Sequence, residues 1–249
     1  MSIKAIVFDK DGTLVDYPAY WYPVARRATE RAYAILGVAP DKIMQDEIID
    51  HVRELGTTES GVDINGALPR GDYAGIIAVL ARRAAALGAT FTAEECVDAF
   101  SRGYAEKETK ACGRVVPTTP LLDKTLRKLK ARGILLALIT SDDELGARVC
   151  LDALGITDLF DKIIGYDAAV PPKPAPDHML RFLDKHGLDK GEVLMVGDTF
   201  TDIAFAKNSG VLCVGVGKDA HSRDLLISAG ADHVLCDVSE LFDIPGLFD

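Results

Sequence analysis

The chain has 249 residues, 48% of them hydrophobic and 27% charged, which is typical of a folded globular protein with a sizeable core. Its formal net charge of −10 argues against a nucleic-acid partner, because a phosphate backbone requires a basic surface. A small anionic substrate stays compatible with this charge, since a metal ion in a local pocket can reverse the sign of the field.

The five cysteines and the start of the sequence indicate the compartment. The cysteines are dispersed without metal-type spacing, as expected in a reducing environment: Cys96, Cys112, Cys150, Cys213 and Cys236. No basic segment followed by an apolar one opens the sequence, and no apolar run reaches transmembrane length. We therefore expect a cytoplasmic protein that has no membrane partner.

Residues 3–8 form an apolar run that ends abruptly in Asp9-Lys10-Asp11, which predicts a buried strand with both aspartates at or just past its carboxyl end. Open α/β sheets bind ligands at that edge. Side-chain alternation places Asp9 and Asp11 on one side and Lys10 on the other. Two neighbouring carboxylates repel each other, so the pattern calls for a metal ion, a shared proton or both. An ordinary strand followed by an Asx turn explains the same residues without any chemistry.

Residues 16–115 are expected to form a helical domain inserted directly after the first strand. Glycines stand where helices should end, and Thr92 precedes a glutamate at capping-box spacing. Asn65-Gly66 between apolar residues predicts a small hairpin near residues 61–69. The predicted helices are Pro23–Leu36, Asp41–Leu55, Tyr73–Leu87 and Ala93–Lys110.

From residue 116 onward, strand patterns alternate with helix patterns, which predicts βαβ units and a parallel sheet. The predicted strands are Ile134–Ile139, Lys162–Gly165, Glu192–Val196, Val211–Val216 and Asp232–Leu235. The predicted helices are Leu121–Arg132, Glu144–Leu154, Ala175–His186, Asp202–Asn208 and Ser222–Ala229. We therefore expect an α/β core made of residues 1–15 and 116–249.

Polar residues follow several of these strands. Thr140 and Ser141 offer hydroxyl and backbone donors to an anion, Asp198 and Asp202 are hard oxygen ligands, and Lys173 is a cation in a proline-rich loop. Each has an ordinary explanation, as a helix cap, a helix-start residue or a solvated loop charge. These explanations do not account for all of them falling at one sheet edge.

Four motifs in this order resemble those of the haloacid dehalogenase-like (HAD) hydrolase superfamily, nearest to its phosphoglycolate-phosphatase-like and β-phosphoglucomutase-like members. The motifs are Asp9-Lys10-Asp11-Gly12-Thr13-Leu14, Leu136-Ala137-Leu138-Ile139-Thr140-Ser141, Lys173-Pro174-Ala175-Pro176-Asp177 and Gly197-Asp198-Thr199-Phe200-Thr201-Asp202. The resemblance implies a Rossmann-like parallel sheet core with helices on both faces. It also implies that the inserted helical domain is a cap that closes over the site and selects the leaving group.

The resemblance also implies a role for each acidic residue. Asp9 would be the nucleophile that forms an aspartyl-phosphate, and Asp11 would be the general acid and base. A magnesium ion would be bound by Asp9, by the Asp11 carbonyl and by Asp198. Asp202 would either bind the ion as well or support one of its ligands.

The remaining motif residues would surround the phosphate. Thr140, the Ser141 backbone and Lys173 would hold the transferring oxygens, and Gly12 would let the backbone approach closely. Lys10 departs from the apolar residue common at its place in the family, and we expect it to point away from the phosphate.

Asp11 favours phosphoryl transfer over dehalogenation. A halide leaves without needing a proton, so the dehalogenases of the superfamily lack an acid at this position. Three functions compete. The first is a magnesium-dependent phosphatase acting on a small phosphorylated metabolite, such as phosphoglycolate or a sugar phosphate. The second is a β-phosphoglucomutase-like phosphomutase, and the third is a non-catalytic binding protein on the same scaffold. The sequence does not indicate an oligomeric state.

Overall fold

A computed structural model describes residues 3–167 and 169–248 of the chain. The chain forms two compact units, which we call the core unit (Met1–Asp16 with Val115–Asp249) and the helical unit (Tyr17–Arg114). Four positions inside the expected core boundaries lie outside the described residues: Met1, Ser2, Ala168 and Asp249.

The core unit contains a six-stranded sheet in which every strand pair is parallel, as predicted. Its strands are β1 (Ala5–Phe8), β2 (Leu135–Ile139), β3 (Lys162–Ile164), β4 (Val193–Gly197), β5 (Leu212–Val216) and β6 (His233–Leu235). The spatial order is β3-β2-β1-β4-β5-β6, so β1 lies between β2 and β4. The strand order changes direction around β1, and ligands bind open α/β sheets at such points, beyond the carboxyl ends of the strands.

The helical unit contains five α-helices: α1 (Tyr17–Ile35), α2 (Gln45–Glu54), α3 (Tyr73–Ala86), α4 (Ala93–Ala105) and α5 (Lys107–Lys110). A 3₁₀ turn at Pro40–Lys42 precedes α2. The predicted cap of α4 is present, because the Thr92 hydroxyl accepts from the Glu95 amide and the Glu95 carboxylate accepts from the Thr92 amide. Apolar side chains of α1 to α4 form the core of this unit, centred on the fully buried Tyr33, Ala84 and Ala99.

Two helix boundaries in this unit differ from the prediction. The first helix begins well before Pro23 and runs through it. Pro23 has no N–H to donate to the carbonyl of Ala19, and the Arg114 amide donates to that carbonyl instead, at 3.1 Å. The predicted long last helix breaks at Glu106, which has an extended backbone and whose carboxylate accepts two hydrogen bonds of 2.7 Å from Arg31. Contacts between distant residues thus decide both boundaries.

The hairpin predicted near residues 61–69 is not formed around Asn65-Gly66, and that prediction was wrong: the Gly66 amide donates to the Asp63 carbonyl at 2.8 Å in a turn that, within the described residues, no pair of strands flanks. The antiparallel bridge of this segment pairs Thr57 with Val62, ahead of the Asn-Gly pair. A tight hairpin turn of the Asn-Gly type needs positive φ at both central residues, and neither of these two has one. The glycine instead allows close backbone packing, because a Cβ there would lie 2.5 Å from the Cα of Gly56.

The helices of the core unit are α6 (Leu122–Ala131), α7 (Glu144–Leu154), α8 (Asp177–His186), α9 (Phe200–Ser209) and α10 (Ala220–Ala229), with 3₁₀ turns at Thr157–Leu159, Lys190–Glu192 and Val238–Asp243. Ile6 and Phe8 of β1 belong to a cluster that includes side chains of α6 and α7. Ala5 and Val7 belong to a second cluster with side chains of α8, α9 and α10. Helices therefore cover both faces of the sheet, as the predicted Rossmann-like fold requires.

Candidate active site

The predicted site residues follow the three central strands of the sheet. Asp9 comes directly after β1, Thr140 after β2 and Asp198 after β4. Phe8 pairs with Leu138 of β2 and Val196 of β4, which brings the ends of these strands to one edge. The Asp9 amide donates to the Val196 carbonyl at 2.9 Å, so regular strand pairing extends to the first residue of the site.

Three of the predicted acidic residues meet at this edge. The carboxylates of Asp9, Asp198 and Asp202 each offer an oxygen within 4.8 Å of the others. We call these residues the acidic group. Their relative exposures are 7%, 8% and 1%, so all three are buried. Buried carboxylates at this separation repel one another strongly, and the group needs positive charge to remain ionised.

Lys173 supplies part of that positive charge. Its Nζ lies 2.6 Å from Asp9 Oδ1 and 2.6 Å from Asp202 Oδ1, and its side chain is almost fully buried. Burial lowers the pKa of Lys173, but Asp202 and Asp9 outweigh this effect and hold the pKa above its usual value. The lysine predicted as a phosphate ligand is therefore a charged bridge between two carboxylates.

One lysine does not balance three carboxylates. Burial, Asp202 and Asp11 raise the pKa of Asp9 to about 7, even though Lys173 opposes them. Burial, together with repulsion from Asp9, also holds the pKa of Asp198 well above its usual value. With all three carboxylates ionised the acidic group would carry an excess of negative charge, which a bound cation would relieve.

Gly12 lets Asp198 enter this group. A Cβ at Gly12 would lie 1.9 Å from Asp198 Oδ2, and the backbone there has a φ of +81°, which a side chain would strain. The backbone does approach closely at this glycine, as expected, but the group it approaches is a carboxylate.

Asp202 has two structural roles at once. Its Oδ2 accepts hydrogen bonds from the amide and the hydroxyl of Thr199, at 3.1 and 2.8 Å, and so caps α9. Its Oδ1 accepts from Lys173. The helix-start explanation of Asp202 and its membership of the acidic group are therefore both correct.

Asp11 and Lys10 are arranged differently from the prediction. β1 ends at Phe8, and the chain then turns, with the amides of Leu14 and Val15 both donating to the Lys10 carbonyl at 2.9 Å. The alternation of an extended strand does not apply inside a turn. The expectation that Lys10 lies opposite Asp11 was wrong, because Lys10 Nζ lies 3.1 Å from Asp11 Oδ2.

The two residues after β2 differ in exposure. Thr140 is buried, and its hydroxyl accepts from the Asp142 amide at 3.2 Å, while Ser141 is exposed. Asp142 was not among the predicted site residues, yet its carboxylate accepts a hydrogen bond of 2.8 Å from Lys10. A signal was present, since a lysine between two aspartates in a buried run demands a carboxylate partner.

The acidic group fits a hard divalent cation. It consists of oxygen donors only, it is buried, and Gly12 leaves the space that Asp198 occupies. The elevated pKa values of Asp9 and Asp198 express the same need for positive charge. The donor set therefore suits a hard divalent cation such as magnesium.

A cavity of about 550 Å³ lies elsewhere in the core unit, lined by residues of β3 and α8 that include Lys162, His178 and Arg181. None of the predicted site residues lines it. Within the described part of the chain, no helix combines the length and apolar character that a membrane span requires.

Comparison with known sequences places the chain among hydrolases. The family model of the haloacid dehalogenase-like hydrolases matches residues 3–210. The phosphoglycolate phosphatase of Rhodospirillum rubrum is 31% identical over 98% of this chain and 91% of its own length. That of Vibrio parahaemolyticus is 26% identical over 98% of this chain and 96% of its own length.

Solved structures share the fold along the whole chain. A predicted phosphoglycolate phosphatase from Haemophilus somnus has a TM-score of 0.67 at 22% identity and covers 98% of both chains. A protein from Thermotoga maritima assigned as a β-phosphoglucomutase has a TM-score of 0.66 at 22% identity, over 97% of this chain and 98% of its own. At such identities the likeness shows the fold alone, and it confirms the predicted fold class.

Proposed function

Because the chain belongs to the haloacid dehalogenase-like hydrolases, we propose that it is a magnesium-dependent phosphatase acting through an aspartyl-phosphate on Asp9. The family and the enzyme class, a phosphatase, were both predicted from the sequence and are confirmed by the relatives. The proposed substrate is a small phosphorylated metabolite of the phosphoglycolate or sugar-phosphate type; the two relatives named phosphoglycolate phosphatase support the first of these.

The observation that carries this proposal is the acidic group with Lys173 at the carboxyl edge of the sheet. Lys173 orients Asp9 by a hydrogen bond to Oδ1 and so fixes the nucleophile relative to α9. A positioned carboxylate that stays buried until the substrate arrives is suited to nucleophilic attack on phosphorus.

The reaction proceeds in two steps. An Asp9 oxygen forms a bond to phosphorus while the bond from phosphorus to the leaving oxygen breaks, and Asp11 gives that oxygen a proton. Water then attacks the aspartyl-phosphate, Asp11 takes a proton from the water, and the bond between Asp9 and phosphorus breaks. The net reaction consumes one phosphomonoester and one water and yields an alcohol and inorganic phosphate.

Asp9 and Asp198 are the proposed side-chain ligands of magnesium, with the Asp11 carbonyl as a further donor. Asp202, whose two oxygens already accept hydrogen bonds, supports the site through Lys173 and lies within reach as an additional donor. When bound, the ion would offset the repulsion between the phosphate and the carboxylates. Thr140, the Ser141 backbone and Lys173 are the proposed contacts of the phosphate oxygens.

We propose that the helical unit acts as a cap that selects the leaving group. In the sequence it is inserted between Asp16 and Val115, shortly after the proposed catalytic aspartates. Exchange of residues 17–114 for the corresponding segment of the Rhodospirillum relative tests this role. The substrate preference of the chimera should follow the inserted segment; a preference that stays with the core unit would refute it.

A phosphate-release assay over a panel of phosphomonoesters tests the proposed function. Activity is expected with magnesium, should vanish when the metal is chelated and should return when magnesium is restored. Calcium, which is larger and prefers more ligands, should restore it poorly. Isomerisation of a sugar phosphate without phosphate release would instead indicate a phosphomutase, and failure on the whole panel would favour a binding protein.

A further inference from the structure

Lys10 is a fully buried lysine beside the proposed nucleophile, and the mechanism above gives it no task. Its side chain has no exposed surface, and it is among the largest of the fully buried side chains. Transfer of an ammonium group into a protein interior is costly unless carboxylates surround it closely. The burial of Lys10 therefore depends on the carboxylates around it.

Two carboxylates surround this lysine. Its Nζ donates to Asp142 Oδ2 at 2.8 Å and lies 3.1 Å from Asp11 Oδ2. Asp142 is itself fixed, since its Oδ1 accepts from the Asp143 amide at 2.9 Å and its own amide donates to the Thr140 hydroxyl at 3.2 Å. Asp142 thus ties Lys10 to the end of β2.

The two buried lysines divide the aspartates between them. Lys173 binds Asp9 and Asp202, which belong to the acidic group, whereas Lys10 binds Asp11. The carboxylate of Asp11 is therefore turned toward Lys10, while those of the acidic group converge on one another. Without this division, the carboxylate of Asp11 would compete with those of the acidic group for the same cation.

We propose that Lys10, anchored by Asp142, is a positioning residue that keeps the Asp11 carboxylate apart from the acidic group and oriented for its exchange of protons. This inference rests on the proposed function, in which Asp11 protonates the leaving oxygen. A misplacement of about 1 Å can cost on the order of 10²-fold in rate, so an ion pair that fixes this side chain is of direct value.

If Lys10 positions Asp11, the loss of activity on removing Lys10 should depend on the leaving group of the substrate. An alkyl phosphate expels a basic alkoxide that needs the proton from Asp11, whereas p-nitrophenyl phosphate expels a stable anion that needs none. Loss of the position of Asp11 should therefore harm the alkyl ester selectively. A merely structural loss would lower the activity on both substrates by the same factor.

The test is Lys10→Met, with kcat/KM measured on glycerol phosphate and on p-nitrophenyl phosphate in saturating magnesium. We expect a loss of about 10²-fold on the alkyl ester and less than about 10-fold on the aryl ester. In an Asp11→Asn background, Lys10→Met should cause no further selective loss. Lys124→Met, at an exposed position of α6, is the matched control and should leave both values unchanged.

Asp142→Asn provides a second variant in case Lys10→Met does not fold. It retains the shape of the side chain and weakens the anchor, so the same selectivity should appear at a smaller magnitude. Equal losses on both substrates in the folded variants, or a selective loss that persists without Asp11, would overturn the inference. If the wild-type protein hydrolyses no phosphomonoester of the panel, the proposed function fails and this inference falls with it; if it prefers another alkyl phosphate of the panel, that ester takes the place of glycerol phosphate. Turnover of both esters by the wild type with equal losses in the variants removes the inference alone.

Discussion

Each unit of this protein contains a group of linked ionisable side chains, and the two groups differ in their burial and in their balance of charge. In the core unit, the three buried carboxylates of the acidic group lie together, and Lys173 binds two of them, Asp9 and Asp202. In the helical unit, a second group, which we call the Tyr33 cluster, consists of Tyr33, Glu47, His51, Glu54 and Arg83. The Tyr33 cluster stabilises its unit, whereas the acidic group is suited to bind a cation and to react.

The Tyr33 cluster satisfies its own members. The Tyr33 hydroxyl lies 2.8 Å from His51 Nδ1, and Arg83 binds Glu47 at 2.7 Å and Glu54 at 2.8 Å. Burial, with Arg83 as the next cause, lowers the pKa of His51 to about 3, so its imidazole is neutral at physiological pH. Nothing in this cluster calls for an additional ion.

The acidic group of the core unit is the opposite case. The pKa of Asp9 is raised to about 7 because burial and neighbouring carboxylates outweigh Lys173. Such unrelieved repulsion lowers the stability of the folded chain and is characteristic of functional sites. Mutations in the two regions should therefore have opposite effects on stability and activity.

The largest effect is expected for Asp9→Asn. Loss of the nucleophile should lower phosphate release by ~10⁴-fold or more. Because the change also removes a buried charge from the acidic group, the melting temperature without magnesium should rise. Phosphate release and thermal unfolding, measured on the same preparation, check both parts.

Asp152→Asn is the matched control for this variant, since it makes the same chemical change at an exposed position of α7. It should change neither the activity nor the melting temperature. Wild-type turnover by Asp9→Asn would remove Asp9 from the nucleophile role, whereas a lower melting temperature would contradict the repulsion in the acidic group.

Lys173→Met should be harmful in both respects. Breaking a buried ion pair by removing one partner typically costs about 3–5 kcal/mol, and here two carboxylates lose their cation. Activity should fall by about 10²–10³-fold, the usual cost of one lost electrostatic donor. Denaturant unfolding should show that magnesium restores part of the lost stability, because the ion replaces the missing positive charge.

A failure of magnesium to stabilise the Lys173→Met variant more than the wild type would argue that the ion binds elsewhere. Lys124→Met serves again as the control, because the same side chains are exchanged at an exposed position.

Gly12→Ala should weaken metal binding through Asp198. The new Cβ would lie 1.9 Å from Asp198 Oδ2, so the carboxylate must move. We expect the affinity for magnesium and the activity to fall by about 10–100-fold, the usual effect of disturbing the support of a metal ligand. Isothermal titration with magnesium measures the first and phosphate release the second.

Gly133→Ala separates this displacement from backbone strain. Gly133 has a φ of +77°, close to that of Gly12, but a Cβ there would meet no atom within 4 Å. Both variants should lose about 1–2 kcal/mol of stability from the left-handed backbone. Only Gly12→Ala should lose affinity for magnesium, and equal affinities in the two variants would show that Asp198 is not a ligand.

The fold was predictable because its signals are local and repeated. Short apolar runs between helix patterns predicted each strand of the sheet, and parallel pairing then placed Asp9 and Asp198 at one edge. Pro23 inside a helix could not be predicted in this way, because the Ala19 carbonyl that Pro23 leaves without a donor accepts a hydrogen bond from Arg114, at the far end of the unit.

The site was predictable in its residue types but not in its orientations. Membership of the acidic group follows from position along the sheet edge. The pairing of Asp11 with Lys10 depends on the turn after β1, and on Asp142, which is 132 residues away from Lys10. Side chains alternate in direction only along a strand, so this alternation does not predict the directions of side chains in the turn after β1.

The remaining expected effect leaves the proposed site untouched and concerns pH and His51 in the helical unit. The pKa of His51 is lowered from 6.5 to about 3, so between these values the unfolded chain binds a proton that the folded chain does not. The contribution of His51 to stability is therefore complete above about pH 6.5 and is lost progressively as the pH falls toward 3. The expected slope is about 1.4 kcal/mol per pH unit.

Trp21 is the single tryptophan of the chain and lies in the helical unit, so its fluorescence during denaturant unfolding reports on this unit. Wild type should lose stability between pH 6 and pH 4.5, and His51→Gln, although less stable at pH 7, should show a shallower slope. His221→Gln, at an exposed position of α10, should follow the wild type. Parallel slopes of stability against pH for wild type and His51→Gln would mean that His51 takes up its proton in the folded state. The Tyr33 cluster would then accommodate a charged imidazole.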